Sequence, residues 1–280
     1  MSTPHLAPPL TAQTLAFIGG GNMASAILGG LRQQGLPASQ VLVVEPFEAT
    51  RSQLETRYGV STLAAAGPAL AEAGLVIWAV KPQNLKEAAG QAGPFCAQAL
   101  HLSVAAGIRS DSLAQWLQSQ RIVRAMPNTP ALVGLGQTGL FARAGVSEAD
   151  RQWVEQVVAT TGQWVWVQDE GLLDAVTAIS GSGPAYVFFF IEAMVQAGVR
   201  MGLSAEQAHQ LAVGTFVGSA ELARSANESP AVLRERVTSK GGTTHAAISR
   251  MQADQLDGLF QAALEAARLR AQALGDEFGK

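Results

Sequence analysis

A short strand that runs into a glycine triplet and then a helix constrains this chain more than any other feature. Residues 15–18 read Leu-Ala-Phe-Ile, an apolar run typical of a buried strand, and residues 19–24 continue as Gly-Gly-Gly-Asn-Met-Ala. Ile27, Leu28 and Leu31 then follow at helical spacing. A G-x-G-x-x-A turn between a strand and a helix is the fingerprint of dinucleotide-binding folds, so the sequence predicts such a fold here.

Each small residue of the fingerprint has a physical role. Gly19 permits the tight turn, and Gly21 lets the backbone approach a pyrophosphate. Ala24, in the third position, still permits close packing of the helix on the strand. The alternative interpretation is a helix that happens to begin with glycines.

An acidic residue follows the next predicted strand. Residues 41–44 read Val-Leu-Val-Val, and Glu45 comes directly after them. In a dinucleotide-binding fold an acidic side chain at this place accepts hydrogen bonds from the adenosine ribose. We therefore assign Glu45 to the predicted cofactor site.

Strand and helix patterns alternate through the first part of the chain. Apolar runs occur at residues 15–19, 41–45, 75–80, 101–106, 121–126, 138–142 and 164–167. Amphipathic or alanine-rich stretches separate them, which is the pattern of a parallel sheet covered by helices on both faces. The run at 75–80 ends in Lys81-Pro82, at the sheet edge where such folds bind ligands.

The pattern changes near residue 168 and becomes helical. The longest helical segments are predicted at 183–201, 204–224 and 254–275. The predicted fold class is therefore an α/β Rossmann-like domain with a mainly parallel sheet, followed by an all-α domain. We expect a flexible tail at 1–14, the Rossmann-like domain at 15–168 and a helical domain at 169–280.

A second glycine-led helix start lies late in the chain. Residues 237–244 read Val-Thr-Ser-Lys-Gly-Gly-Thr-Thr, ahead of a helical pattern. Free N–H groups at a helix start, with the helix dipole behind them, attract a carboxylate. A threonine hydroxyl beside them can orient a second polar atom of the same small molecule. The alternative is a glycine-rich turn with a threonine cap.

Composition narrows the classes of function. A net charge of −3, 15% charged residues and no basic cluster argue against a nucleic-acid partner. The single cysteine, Cys96, fits a reducing cytoplasm and is expected to be buried. The four histidines show no metal-ligand spacing, so no metal is expected. The apolar segment at 186–203 is interrupted by charged and polar residues and two glycines, so we expect no membrane span.

Five separated segments, in this order and spacing, resemble pyrroline-5-carboxylate reductases, which catalyse the last step of proline biosynthesis. They are residues 19–24, 79–82, 126–130 (Met-Pro-Asn-Thr-Pro), 180–186 (Ser-Gly-Ser-Gly-Pro-Ala-Tyr) and 238–244. The resemblance covers the chain after residue 14, and its most specific part runs from Pro230 to Met251.

The resemblance implies a NADPH- or NADH-dependent reduction of 1-pyrroline-5-carboxylate to L-proline. It implies a cofactor site made of Ile18, Gly19, Gly20, Gly21, Asn22, Met23, Ala79, Val80, Lys81, Pro82 and Asn128. It implies that Ser239, Gly241, Gly242, Thr243 and Thr244 bind the substrate carboxylate, and that the Thr244 hydroxyl hydrogen-bonds the ring nitrogen as the catalytic residue. It also implies a homodimer through the helical domain, or a higher oligomer built from such dimers. Lys81 is expected to contribute its backbone, whereas Asn128 has an alternative role as a turn former.

Two residues depart from the family pattern. Lys240 stands where relatives usually carry proline, which makes the loop less rigid or adds a cation near the carboxylate. Glu45 stands where many relatives carry a small polar residue. Because an acidic group there repels a 2′-phosphate, Glu45 favours NADH, whereas the family commonly uses NADPH and Arg51 lies near in the sequence.

Two other functions are considered. The β-hydroxyacid dehydrogenases also have a Rossmann domain followed by helices, but they need a lysine and an asparagine where this chain has Val187 and Phe190. A nicotinamide-binding sensor without turnover is the second alternative. The carboxylate-binding loop argues against a sensor. Asp169 and Glu170, in the polar segment after residue 168, are expected to be solvated.

Overall fold

The computed structural model describes residues 13–279, and their first part is built around one eight-stranded sheet. The strands are β1 (Thr14–Ile18), β2 (Val41–Val44), β3 (Ser61–Leu63), β4 (Ala73–Trp78), β5 (Leu100–Ser103), β6 (Ile122–Met126), β7 (Gly136–Ala142) and β8 (Gly162–Trp166). Their order is β3-β2-β1-β4-β5-β6-β7-β8. Every pair is parallel except β6 with β7. The predicted, mainly parallel Rossmann-like sheet is confirmed, and only the three-residue β3 was missed.

Side chains alternate across the sheet, so a core forms on each face. On β1, Leu15 and Phe17 join one core, whereas Ala16 and Ile18 join the other. The covering helices are α1 (Asn22–Gln33), α2 (Glu48–Tyr58), α3 (Pro82–Ala92), α4 (Ser110–Leu117) and α5 (Glu148–Ala159). Helices α1, α2 and α5 line the first core, and α3 and α4 line the second.

The second part of the chain is helical, as predicted. Its elements are α6 (Leu172–Val176), a π-helical turn (Thr177–Gly181), α7 (Gly183–Arg200), α8 (Ala205–Ser225), α9 (Pro230–Arg236), α10 (Thr243–Ala253) and α11 (Leu256–Phe278). The three longest helices correspond to the predicted segments. The helix expected behind the second glycine pair is α10. Sequence analysis missed α6 and the π-helical turn.

By its contacts the chain divides into two compact units. Among the described residues, the sheet unit contains 13–182 and 267–279, and the helical unit contains Gly183–Ala266. This division falls later than the expected boundary near residue 168. Of the expected tail at 1–14, residues 1–12 lie outside the described range, and Thr14 is already the first residue of β1.

The position of the division has a structural cause. The carboxylate of Glu170 pairs with Arg124 of β6 at 2.6 Å, and that of Asp174 pairs with Arg109 at 2.8 Å. Ser110 donates both its amide and its hydroxyl to Glu170, each at 2.6 Å. These contacts attach α6 to the sheet. The expectation that Glu170 is solvated was wrong, because spacing along the chain cannot reveal partners 46 or 60 residues away.

The helical unit carries much apolar surface. Phe188 and Phe189 are each 66% exposed, whereas Tyr186 and Phe190 pack edge-to-face on Phe260. Within residues 13–279, the stretch Leu172–Arg200 is long and apolar enough, by length and composition, to cross a membrane. Its mean hydropathy is 1.4, and 6% of that apolar window is buried.

Candidate active site

The ends of three strands meet at the first glycine turn. The Gly19 amide donates to the Val44 carbonyl of β2 at 2.8 Å, and the Ala79 amide donates to the Ile18 carbonyl at 2.8 Å. Gly19 has φ +96°, a value that side-chain-bearing residues rarely adopt. A Cβ on Gly19 would lie 2.8 Å from the Ala79 carbonyl oxygen. The turn after β1 and the turn after β4 are therefore in direct contact, as the predicted cofactor set requires.

The start of α1 is open to an anion. Gly21 is the N-cap in an extended conformation, and within the described range no side chain caps the helix. Its first turn contains no acidic residue. A Cβ on Gly21 would meet no described atom within 4 Å, so the space beside its backbone is free. Unpaired N–H groups facing open space at a helix start fit a pyrophosphate, and Asn22 and Met23 stand at this start.

The Glu45 carboxylate braces the same turn. Glu45 is 6% exposed, and its Oε2 accepts a hydrogen bond from the Gly20 amide at 2.8 Å. Its Oε1 accepts from the Phe47 amide at 3.0 Å. Each carboxylate oxygen can accept a second hydrogen bond, so these contacts leave capacity for a ribose hydroxyl. Arg51 donates to the carbonyls of Glu45 and Pro46, at 3.0 and 2.7 Å.

A cavity of about 360 Å³ adjoins the turn. Ile18, Gly19 and Val80 of the predicted cofactor set line it. Its other lining residues, which sequence analysis did not select, are Val44, Pro46, Ala64, Ala65, Ala66, Asn84, Glu87, Ala88, Gln91 and Ala92. The alanines at 64–66 follow the missed strand β3, and Asn84, Ala88 and Gln91 recur at helical spacing along α3. That helical spacing behind Lys81-Pro82 was the signal that could have identified the α3 residues.

Lys81 and Pro82 begin α3. Lys81 is the exposed N-cap, in an extended conformation, and Pro82 stands at the first turn, where proline is favoured. This geometry presents the backbone of residues 79–82 at the carboxyl end of β4. It is consistent with the expected backbone role of Lys81.

The second glycine-led start lies in the helical unit. Gly241 has φ +77°, and Gly242 is the N-cap of α10, which no side chain of the described residues caps. The Gly242 amide donates back to the Ser239 carbonyl at 3.0 Å. Ser239 and Thr243 are exposed and Thr244 is half-buried. The first amides of α10 therefore remain available to a carboxylate.

Asn128 is placed differently from the other predicted cofactor residues. It is 8% exposed, and its side-chain carboxamide is hydrogen-bonded to Ser180 and to the backbone of Gln137. Its side chain is thus engaged with the π-helical turn. The sequence offered no sign of this pairing across 52 residues.

Two buried titratable groups are held neutral at neutral pH. Burial, with the charge of Arg121 as a second cause, lowers the pKa of His101 to about 4. Its Nδ1 accepts a hydrogen bond from the Trp78 indole at 3.2 Å. Cys96 is buried, as expected, and burial raises the pKa of its thiol to about 11. Between residues 13 and 279, no group of three or more His, Cys, Asp or Glu side chains could hold a metal ion.

Comparison with known proteins gives two family matches. The family described as "Pyrroline-5-carboxylate reductase dimerisation" matches residues 170–274, and the family described as "NADP oxidoreductase coenzyme F420-dependent" matches residues 14–107. These two ranges follow the helical and the Rossmann-like parts of the chain.

Individual relatives cover nearly the whole chain. A pyrroline-5-carboxylate reductase of Pseudomonas aeruginosa is 42% identical over 282 residues, covering 100% of both chains. The solved structure of a pyrroline-5-carboxylate reductase from Coxiella burnetii is 35% identical, with a TM-score of 0.88, and covers 94% of this chain and 98% of its own. A Plasmodium falciparum pyrroline carboxylate reductase with NADP bound is 27% identical, with a TM-score of 0.83, and covers 95% of this chain and 99% of its own.

Proposed function

Because this chain belongs to the pyrroline-5-carboxylate reductase family, it reduces 1-pyrroline-5-carboxylate to L-proline with NAD(P)H, and we propose that residues 239–244 bind the substrate. The reaction is the last step of proline biosynthesis. The two other functions considered, a β-hydroxyacid dehydrogenase and a sensor without turnover, have no support among these relatives.

The observation that carries the substrate proposal is the open start of α10. Gly242 caps this helix without a side-chain hydrogen bond from any described residue, so the amides of Thr243 and Thr244 can bind a carboxylate. Gly241, with its positive φ, turns the chain so that the helix begins there. Lys240 is exposed directly before the glycine pair and adds a positive charge to the loop.

We assign the catalytic role to Thr244. When bound, the reduced nicotinamide supplies the hydride that the imine carbon receives. The protein has to orient the ring and to hold a proton at its nitrogen. The Thr244 hydroxyl makes no hydrogen bond within residues 13–279 and stands beside the amides proposed for the carboxylate. It can therefore bond the ring nitrogen while those amides hold the carboxylate.

For the cofactor we propose Ile18, Gly19, Gly20, Gly21, Asn22 and Met23 at the pyrophosphate, Glu45 at the adenosine ribose, and the backbone of residues 79–82 along the ribose and nicotinamide. The free space at Gly21 and the adjoining cavity of about 360 Å³ support this arrangement. Because Glu45 is acidic, we propose a preference for NADH over NADPH.

The chain carries a dimerisation domain, and the finer proposal is a homodimer formed through the helical domain, on which larger assemblies can be built. The exposed phenylalanines of α7 support it, because contiguous exposed apolar surface marks an interaction site. We propose that a second copy, rather than a membrane, covers the apolar stretch at 172–200, and that the enzyme is cytoplasmic. Sedimentation at micromolar concentration without detergent would test the proposed dimer, and a purely monomeric species would contradict the dimer.

The carboxylate proposal is tested by removing one amide. Thr243→Pro deletes the first N–H of α10 at the helix position where proline is best tolerated. The preceding Gly242 has φ −80° and ψ 174°, the extended conformation that a following proline requires. We expect the KM for 1-pyrroline-5-carboxylate to rise about 10- to 150-fold, since a hydrogen bond to a charged group contributes about 1.5–3 kcal/mol.

Two controls separate this effect from damage to the loop. Thr243→Ala keeps the amide and removes only the side chain, so its KM should stay close to that of the unchanged enzyme. Turnover of 1-pyrroline, a cyclic imine without a carboxylate, should be equal in the unchanged enzyme and in Thr243→Pro. If Thr243→Pro slows both imines equally, the amide does not bind the carboxylate. That outcome would leave the reductase activity itself in place.

A further inference from the structure

The Asn128 side chain joins three segments of the sheet unit. Its Nδ2 donates to the Ser180 hydroxyl at 3.1 Å and to the Ser180 carbonyl at 3.2 Å. Its Oδ1 accepts from the Gln137 amide at 2.9 Å. Only the nitrogen can donate to a carbonyl, and only the oxygen can accept from an amide, so these partners set the orientation of the carboxamide.

The Ser180 hydroxyl completes a closed set of hydrogen bonds. It accepts from Asn128 and donates to the Gln137 carbonyl at 3.3 Å. We call Asn128, Gln137 and Ser180 the β6–π clamp. The clamp connects three elements. Asn128 lies two residues after the end of β6, Gln137 is the second residue of β7, and Ser180 belongs to the π-helical turn.

Close packing presses the π-helical turn against the same two strands. A Cβ on Gly181 would collide with the terminal methyl of Met126 at the end of β6. Directly before the turn, Val176 at the end of α6 packs on β7: a Cβ on Gly139 would lie 2.7 Å from a Val176 methyl. Within the turn, the Ser182 amide donates to the Thr177 carbonyl at 2.8 Å. Single π-helical turns occur frequently at functional sites, and this one is held by side chain and backbone alike.

With the cofactor bound as proposed above, the clamp lies on the nicotinamide side of the sheet. Strand order reverses between β1 and β4, where a dinucleotide crosses the carboxyl ends of the strands. The adenosine half lies toward β2, where Glu45 stands, so the nicotinamide half lies toward β4, β5 and β6. Asn128 follows β6 at this edge.

We propose that Asn128 is a positioning residue of the reductase. It fixes Ser180–Gly181 at the nicotinamide edge of the sheet and does not itself contact the cofactor. Its donors are used within the clamp, so its effect on the reaction passes through the π-helical turn. A displacement of about 1 Å in a positioning element can lower a rate by about a hundredfold.

The test is a double-mutant cycle with Asn128→Ala and Ser180→Ala. We expect Asn128→Ala to lower kcat by at least about tenfold, while the Kd of NADPH, measured by fluorescence without substrate, stays within about twofold. The double variant should lose no more kcat than Asn128→Ala alone, because both changes break the same contacts. Thr129→Ala, which removes an exposed neighbouring hydroxyl, should leave kcat unchanged.

Three outcomes would overturn the proposal. A rise in the Kd of NADPH that matches the loss of kcat in Asn128→Ala, with Ser180→Ala unaffected, would make Asn128 a direct cofactor contact. Additive losses would show that the two residues act independently. A lower Tm with an unchanged kcat would make the clamp structural only. If Asn128→Ala fails to fold, Ser180→Ala alone tests the proposal, because it removes one hydrogen-bond acceptor and keeps the carboxamide of Asn128. A lower kcat with an unchanged Kd of NADPH in Ser180→Ala would support the proposal. An unchanged kcat in that variant would overturn it.

Discussion

The two glycine-led helix starts of this protein differ in what surrounds them. At the start of α1, a Cβ on Gly19 would lie 2.8 Å from the Ala79 carbonyl oxygen, in the turn that follows β4. A Cβ on Gly20 would lie 2.7 Å from a methyl of Leu54. At the start of α10, a Cβ on Gly241 would meet no described atom within 4 Å. The nearest atoms to a Cβ on Gly242 belong to Ser239 of the same loop.

This difference shows that glycine is required for different reasons at the two helix starts. In the first start, Gly19 and Gly20 are needed for packing of the sheet unit and stand in the proposed cofactor site, so we expect that folding and cofactor binding cannot be changed independently there. In the second start, backbone conformation at Gly241 is the main constraint, and the loop is largely exposed. Substitutions at α10 should therefore alter substrate kinetics with little loss of stability, whereas substitutions at α1 should alter both.

The largest effect is expected for Gly19→Ala. This variant combines a φ of +96° with a contact of 2.8 Å to the Ala79 carbonyl oxygen. Backbone strain of this kind costs about 1–3 kcal/mol, and the collision adds to it, so we expect a loss of about 3 kcal/mol in the free energy of unfolding. For a domain of this size that lowers Tm by about 6–12 °C. The Kd of NADPH should rise in the same variant.

Gly35 provides the matched control. It has φ +93°, and a Cβ there would meet nothing within 4 Å among the described atoms. Gly35→Ala therefore carries the strain without the collision, and its loss of stability should be about half as large or less. Equal losses of stability in the two variants would show that the contact between the two turns is unimportant.

At the second start, Thr244→Ala should act on the reaction alone. Removing the hydroxyl should cost roughly 1–3 kcal/mol of transition-state binding. This corresponds to a fall in kcat/KM of about 5- to 150-fold, with Tm and the Kd of NADPH unchanged. Thr244→Ser keeps the hydroxyl and should retain most of the activity. An unchanged kcat/KM in Thr244→Ala would remove Thr244 from the mechanism.

A smaller effect on cofactor choice is expected from Glu45→Gln. The carboxamide has one oxygen for the two amides of Gly20 and Phe47, so one of them loses its acceptor. We expect a loss of about 1–2 kcal/mol in stability and a shift of about tenfold in the ratio of kcat/KM values toward NADPH, because a repulsive charge near the 2′-phosphate is removed. Glu48→Gln removes an exposed charge three residues later and should shift neither quantity. An unchanged ratio in Glu45→Gln would disprove the ribose assignment.

Local pattern explains which of these features the sequence could predict. Seven strands, both helix starts and the long helices follow from apolar runs, glycines and periodicity within windows of about ten to twenty residues. Strand β3 has only three residues and no periodicity, so the alanines that line the cavity after it were missed.

Contacts between distant residues could not be predicted in the same way. The Glu45 carboxylate reaches an amide 25 residues away, and Asn128 reaches a serine 52 residues away. Sequence analysis identified both residues as functional but gave Asn128 to the cofactor. The pairing depends on the antiparallel turn from β6 to β7 and on the π-helical turn, neither of which has a pattern that is local in the chain.

The smallest effect, and the most direct test of the comparison, is expected for Gly241→Ala. Its φ of +77° imposes a strain of about 1–2 kcal/mol on a residue with a Cβ, and no collision accompanies it. Gly134→Ala, at φ +73° with equally free surroundings in the described structure, should lose the same stability. The KM for 1-pyrroline-5-carboxylate should rise only in Gly241→Ala, because Gly134 is remote from the α10 start in sequence and belongs to the sheet unit. A much larger loss of stability in Gly241→Ala than in Gly134→Ala would show that the loop is packed in the assembled enzyme, and the two helix starts would then be alike.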